Sequence, residues 1–223
     1  MEFHLNNHRL KYSLLEVIIF FSISIVLSGL IVQSLISNHR ACLGLQCQSS
    51  LKYLGNALLI YSENNDDLLP HEDFGATQPP RDHCWYHVLQ AEFGNTGPEM
   101  VLQDPSLKHL HGNGIESQGF SFKFNSRLED YKGNKSFRSP PFRHMNSFHQ
   151  PDISIIFFDG DVSPSQKNKP YGMHLQVVNR HNNKANLLCV DGAVHQDNGG
   201  FHTHNWINTA AWIWDPDASI EQQ

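Results

Sequence analysis

The run LLEVIIFFSISIVLSGLIVQSLI, Leu14 to Ile36, decides how the rest of the chain is read. Glu16 and Gln33 are its only strongly polar residues; aliphatics, Phe, Ser and one Gly fill the other positions. At ~1.5 Å per residue the run makes a helix of roughly 35 Å, enough to cross a hydrocarbon layer of about 30 Å. Arg9 and Lys11 precede it and Arg40 is the only basic residue just beyond it, a bias that places the N-terminal side in the cytoplasm. A cleaved secretory signal has an apolar core of about 7 to 15 residues ending at small residues, and neither feature is present. The run therefore reads as an uncleaved single-pass anchor in an inner membrane, with the following chain periplasmic or otherwise extracytoplasmic.

Working outward, the 223 residues include 16 Lys and Arg against 22 Asp and Glu. Only Glu2, Arg9, Lys11 and Glu16 lie before residue 37, so the net charge of −6 belongs to the water-facing remainder. An acidic domain without a basic run, an aromatic-basic patch or a glycine-rich phosphate loop excludes nucleic-acid partners and nucleotide chemistry. A single spanning candidate also excludes a polytopic transporter.

Past the anchor, Leu43, Cys47, Leu51, Leu54, Leu58 and Tyr61 are spaced by three and four residues, an apolar stripe of helical period. Asn64-Asn65-Asp66-Asp67 and then Pro70 stop it. The expected organisation is a polar segment at 1–11, a membrane helix over 12–36, its amphipathic continuation over 37–66, and a globular domain over 67–223. That domain reads as short strands in a loop-rich frame. Trp85–Leu89 suits a strand or a short helix; Phe120, Phe122 and Phe124 share one face of a strand; Ile153–Phe158 is a buried strand. The polar stretches 94–119 and 133–150 read as loops. The Asp191-Gly192 pair predicts a two-residue type I′ turn joining two strands into a hairpin.

Lys11-Tyr12-Ser13-Leu14-Leu15-Glu16 resembles the type IV prepilin signature, with Tyr12, Ser13 and Glu16 at its aromatic, Thr and Glu positions. The block from Cys47 to Pro70, the strand Pro151–Asp159, and His181 ten positions before Asp191-Gly192 are similar to the prepilin-like proteins of planctomycetes, verrucomicrobia and lentisphaerae. Those proteins carry an H-x9-D-G motif near their C-terminal end. The resemblance implies an α+β, pilin-like fold: a long N-terminal helix packed on a small antiparallel β-sheet with long loops. It implies a pseudopilin-like structural protein of a type II secretion or type IV pilus-like assembly. The partners would be other pilin-like subunits or secretion components met through the helix, and the protein would be no enzyme and carry no cofactor. It also implies processing between Lys11 and Tyr12, where Lys11 stands in place of the family's Gly, and pairing of Glu16 with the amine of a neighbouring subunit.

Chemistry-bearing residues remain to be weighed. His181 and Asp191 could act as ligands or as an acid/base pair, although turn aspartates and strand-edge histidines ordinarily bond the backbone. His195, His202 and His204, with Asp197 nearby, have spacing a divalent metal could use, but no tighter motif supports them and no metal is expected. Asp159 and Asp161 read as an acidic turn after a strand. Cys42 and Cys47 lie ~140° apart around a helix and cannot bridge each other. In the resembled family the Cys matching Cys47 often accompanies a later Cys-Pro, where this chain has Asp104-Pro105; Cys84 is then the implied disulfide partner of Cys47, with Cys189 a buried strand residue. The rival reading is a membrane-tethered binding module holding a glycan or metal with His202 and the tryptophans Trp206, Trp212 and Trp214. A metal-assisted hydrolase built on His195, His202 and His204 comes third.

Overall fold

The computed structural model describes residues 13–71, 84–89, 92, 104–107, 120–128, 143–167, 169–198, 208–209 and 211–216. Lys11, Tyr12, His202, His204 and Trp206 lie outside them, as does most of 94–119 and 133–150. The chain divides into two compact units, residues 1–39 and 40–223.

Helix α1 runs from Leu14 to Asn64, 51 residues. It starts at Ser13, whose hydroxyl accepts the Glu16 amide at 3.2 Å while the Glu16 carboxylate accepts the Ser13 amide at 2.8 Å. This reciprocal capping box satisfies two amides that no preceding helical carbonyl can reach. Within the apolar run the hydroxyls of Ser22, Ser24 and Ser28 donate to the carbonyls of Ile18, Phe20 and Ser24, four residues back, so these three hydroxyls are bonded within the helix. The run is long and apolar enough to cross a membrane. The helix stops where expected: Asp66 and Asp67 adopt φ of 54° and 63°, and the Asp67 amide turns back to the Ser62 carbonyl at 2.9 Å.

The second unit holds the rest of α1 and a five-stranded sheet. Its elements are a short helix α2 (Trp85–Val88), β1 (Phe122–Asn125), β2 (Ile155–Asp159), β3 (Tyr171–Gly172), β4 (Ala185–Cys189) and β5 (Val194–Asp197). The sheet order is β3-β1-β2-β4-β5. The architecture is α+β with a long helix, as expected, but the sheet is mixed and not purely antiparallel. β1, β2, β4 and β5 pair antiparallel, while β3 runs parallel to β1. The chain turns back after β2 and passes to the far side of β1, so β3 runs opposite to β2 and alongside β1. Of the two forms open for Trp85–Leu89, the helix is the one adopted, and the Trp85 indole donates to the Pro170 carbonyl at 3.1 Å.

Both faces of the sheet are covered. On one face Leu51, Leu54, Ala57 and Leu58 of α1 pack with Phe122, Phe124, Ile156, Phe157 and Leu188. Gly55 lets the helix close on the sheet, since a Cβ there would lie 3.0 Å from Leu188. The stripe read from the sequence is thus the buried seam, with Leu43 and Tyr61 half-buried at its ends. On the other face Ile155, Phe158, Ala185, Leu187 and Cys189 pack with Val177 and Trp214. A register shift between Ile155 and Phe157 breaks the alternation, so Ile156 and Phe157 both join the helix-side core. Burial on two faces is why these strands read as continuous apolar runs. It also hides polar groups. The Asn125 amide donates to the carbonyls of Ile155 and Trp214, both at 2.8 Å, and ties the segment around Trp214 to the sheet.

The hairpin between β4 and β5 forms, with Leu188 opposite Val194, but through a different turn. The Gly192 amide bonds the Cys189 carbonyl at 2.9 Å, and the Cys189 amide bonds that of Ala193 at 2.9 Å. Gly192 alone is left-handed, with φ of 81°. The loop therefore spans Val190, Asp191 and Gly192, an ordinary turn followed by a left-handed glycine, in place of a type I′ pair. The type I′ geometry occurs instead at Asn182-Asn183, with φ of 53° and 61°, closed by reciprocal 3.0 Å bonds between His181 and Lys184.

Candidate functional site

The Asn182-Asn183 turn fixes His181 at the entrance to β4, because Asn tolerates the left-handed region that two consecutive positions require. Three other elements bring side chains to it. Cys47 comes from the covered stripe of α1, Asp159 from the last position of β2, and Asp104 from the position just ahead of the helical turn at 105–107. All four residues are at most 6% exposed. Their ligand-type atoms, the Cys Sγ, one oxygen of each carboxylate and one His nitrogen, lie within 4.8 Å of one another.

The bonding inside this cluster is specific. The Cys47 thiol donates to Asp159 Oδ1 at 3.3 Å and accepts from the Asn186 side-chain amide at 3.2 Å. Asp159 Oδ2 accepts the Asn186 backbone amide at 2.8 Å. Asp104 Oδ1 accepts the Ser106 amide at 2.8 Å, and Oδ2 receives Arg180 Nε at 2.9 Å. The Arg180 guanidinium is itself buried and spends its other donors on the carbonyls of Gly160 and Ser121, at 2.8 and 3.0 Å. His181 Nε2 lies 3.1 Å from Asp104 Oδ2 and 3.6 Å from Asp159 Oδ2, within ion-pair reach of both. Its direction meets neither oxygen well, so this buried nitrogen has no hydrogen bond of good geometry.

Charge follows from these contacts. Burial would raise the Asp104 carboxyl, but His181 and the Arg180 guanidinium outweigh it and hold the group down at about 2. Asp159 is fully buried, and that desolvation raises it despite Arg180 and His181. Burial and the two carboxylates push the Cys47 thiol well above its ordinary value. His181 is opposed by burial and lifted overall by Asp104 and Asp159. One carboxylate is thus firmly ionised, while the second carboxyl and the thiol are held toward their neutral forms.

The two ends of the H-x9-D-G motif do different work. His181 belongs to the cluster, whereas Asp191 is exposed at the hairpin tip, where Oδ1 accepts the Ala193 amide at 2.8 Å, and Gly192 supplies the left-handed residue. They are not an acid/base pair. Asp159 and Asp161 also part: Asp161 does bind the Ser163 amide and hydroxyl, both at 2.8 Å, as an acidic turn should, but Asp159 faces the cluster. No disulfide joins Cys47 and Cys84, contrary to what the resemblance implied; Cys47 is engaged by Asp159 and Asn186, and Cys84 is buried where the backbone pairs with His71 in an isolated β-bridge. His195 is exposed on β5 with its ring 5.4 Å from that of Trp212. Trp214 is buried against Phe158 and offers no open sugar-stacking face, while Trp212 is half-buried with its indole donating to Asp197.

The sequence singles out Cys47, Asp104, Asp159 and His181 for separate reasons and does not assemble them. A shared signal was present: Cys47 interrupts an aliphatic stripe and Asp159 ends an aliphatic strand, each a polar atom where the pattern demands burial. No family model, curated protein or solved structure matches the chain.

Proposed function

We propose that this chain is a membrane-anchored, pseudopilin-like structural subunit, with its sheet domain outside the cytoplasm and its N-terminal helix as the surface on which copies or related subunits assemble. The observation that carries this reading is the character of α1 over Leu14–Ile36. Its large apolar side chains are exposed on every side, from Leu14 at 79% and Phe20 at 70% to Leu35 at 62%. Such a surface needs lipid or other apolar helices around it. Glu16, one of only two strongly polar residues in the run, adds a carboxylate at its start; besides capping Ser13, it would meet a cation of a neighbouring subunit. Arg9 and Lys11 ahead of the run favour the stated orientation.

A structural role also suits the polar cluster. Its members are buried under α1, out of reach of a substrate-sized molecule, so it acts as a clasp between helix and sheet and not as an active site. The glycan-binding alternative loses support with Trp214 in the core.

Cys42 is exposed on α1 while Cys47, Cys84 and Cys189 are buried, which makes it a native handle for the test. In native membranes a short thiol-to-thiol crosslinker is expected to join Cys42 to a neighbouring subunit. Glu16→Gln preserves the capping geometry, because Gln serves at that position, but removes the charge, and is expected to lower the crosslinked fraction severalfold. A wild-type chain that stays uncrosslinked in its native membrane would overturn the assembly reading. N-terminal sequencing of the same material would report whether the chain begins at Tyr12.

A further inference from the structure

We propose that Cys47, Asp104, Asp159 and His181 form a four-coordinate site for a divalent cation of the zinc class, which staples α1 to the sheet. The inference stands independently of any assembly role. Three observations carry it.

The first is spacing. Tetrahedral zinc with bonds of about 2.0 Å to N and O and about 2.3 Å to S separates its ligand atoms by roughly 3.3 Å for N/O pairs and roughly 3.5 Å for pairs with sulfur. Cys47 Sγ to Asp159 Oδ1 is 3.3 Å, His181 Nε2 to Asp104 Oδ2 is 3.1 Å, and His181 Nε2 to Asp159 Oδ2 is 3.6 Å, so Asp159 turns one oxygen toward each neighbour. No pair exceeds 4.8 Å, so closing on an ion needs movements of only about 1 Å.

The second is the buried His181 Nε2. It is aimed into the cluster with its side chain 4% exposed and, beyond its 3.1 Å ion-pair contact with Asp104, makes no hydrogen bond of good geometry. A ring nitrogen left this way is costly in a packed interior, and metal ligation would satisfy it.

The third is the surrounding shell. Asn186 reaches Cys47 with its side chain and Asp159 with its backbone amide, Ser106 holds Asp104 Oδ1, and Arg180 donates to Asp104 Oδ2, the oxygen that faces His181. Ligating groups held by outer bonds of this kind are typical of metal sites. Charge also closes: a thiolate and two carboxylates are balanced by a dication and the Arg180 guanidinium. One sulfur, one imidazole and two carboxylates suit zinc and disfavour calcium or magnesium, which prefer oxygen alone. Four protein ligands in a buried pocket leave no open position for a substrate, which makes the site structural.

The test uses the full chain purified in detergent. Elemental analysis is expected to find about one zinc per chain, and chelation to lower the melting temperature by several degrees, restored by stoichiometric zinc. Cobalt(II) added to the stripped chain is expected to give a thiolate-to-metal charge-transfer band that Cys47→Ser abolishes and Cys42→Ser leaves in place. His181→Asn is expected to weaken zinc binding at least tenfold, and His195→Ala to leave it unchanged. A stripped wild-type chain that takes up no zinc and shows no cobalt band overturns the proposal without reference to any variant. Zinc binding that survives both Cys47→Ser and His181→Asn overturns it equally, by placing the ion elsewhere.

Discussion

Lys123 shows what a single buried charge does in this domain. Its side chain lies on the sheet face opposite α1, 1% exposed, with Nζ donating to the carbonyls of Gln166 and Lys169. Burial is the main cause that brings its amine down to about 7; Asp161 opposes the shift, while Arg180 and Lys169 add to it. A neutral amine keeps two N–H groups, enough for both carbonyls, so the site does not require the charge. The unfolded chain holds this proton up to about 10.5 and the folded chain releases it near 7, so across that window the unfolded state binds more protons. Stability contributed at this position therefore rises with pH between the two values and is flat below the lower one. Comparing wild type with Lys123→Met by denaturant unfolding is expected to show the wild type gaining on the variant by up to ~1 kcal/mol per pH unit between pH 7 and 10. A pH-independent difference would mean that Lys123 stays charged in the fold.

At the scale of elements, α1 is one helix with two kinds of environment. Over Cys47–Leu58 its stripe is sealed against the sheet, whereas over Leu14–Ile36 its side chains are exposed. Leu54→Ala, at a position with no exposure, is expected to cost about 2 to 5 kcal/mol of domain stability. Leu27→Ala, 53% exposed, is expected to leave the domain melting temperature unchanged. Thermal unfolding of the two variants in detergent separates the regimes, and equal losses would contradict the division. Periodicity made α1 legible, the Asn64–Asp67 run with Pro70 marked its stop, and the apolar run Ile153–Phe158 marked the strand that forms at Ile155–Asp159, because each pattern is local and long enough to be read. The Asp191-Gly192 hairpin was legible in place but not in type, since Gly192 needs the left-handed region and Asp191 does not. The parallel β3 was not legible: two residues carry no period, and their direction follows from where the chain returns after β2. Nor was the cluster, whose four members belong to separate elements and meet only once the helix lies on the sheet.

For the whole molecule, the boundary between units falls near residue 40, inside α1, so the domain carries its own length of helix. A chain beginning at Ser37 keeps the entire helix-side seam and is expected to fold with the same circular dichroism and to leave the membrane fraction. A chain that aggregates or lacks cooperative unfolding would show that the apolar half is needed for more than anchoring. Membrane attachment and domain folding are otherwise separable properties, which is how an acidic, loop-rich domain can share a chain with so apolar a helix.

The bonds that seat α1 have a consequence for how the protein is made. Lys52 Nζ reaches the Gly192 carbonyl across 140 residues of sequence, and Asn186 reaches Cys47 across 139. The helix leaves the ribosome early, and most of its cover arrives only after β4 and the hairpin have been synthesised. Until then the seam from Cys47 to Leu58 is naked in whichever compartment it has entered. Folding dominated by such distant contacts is slow, and an uncovered apolar helix face at a membrane is a target for proteases and for other unfinished chains. The late synthesis of β4 and its hairpin therefore sets how long that helix face waits uncovered on the growing chain.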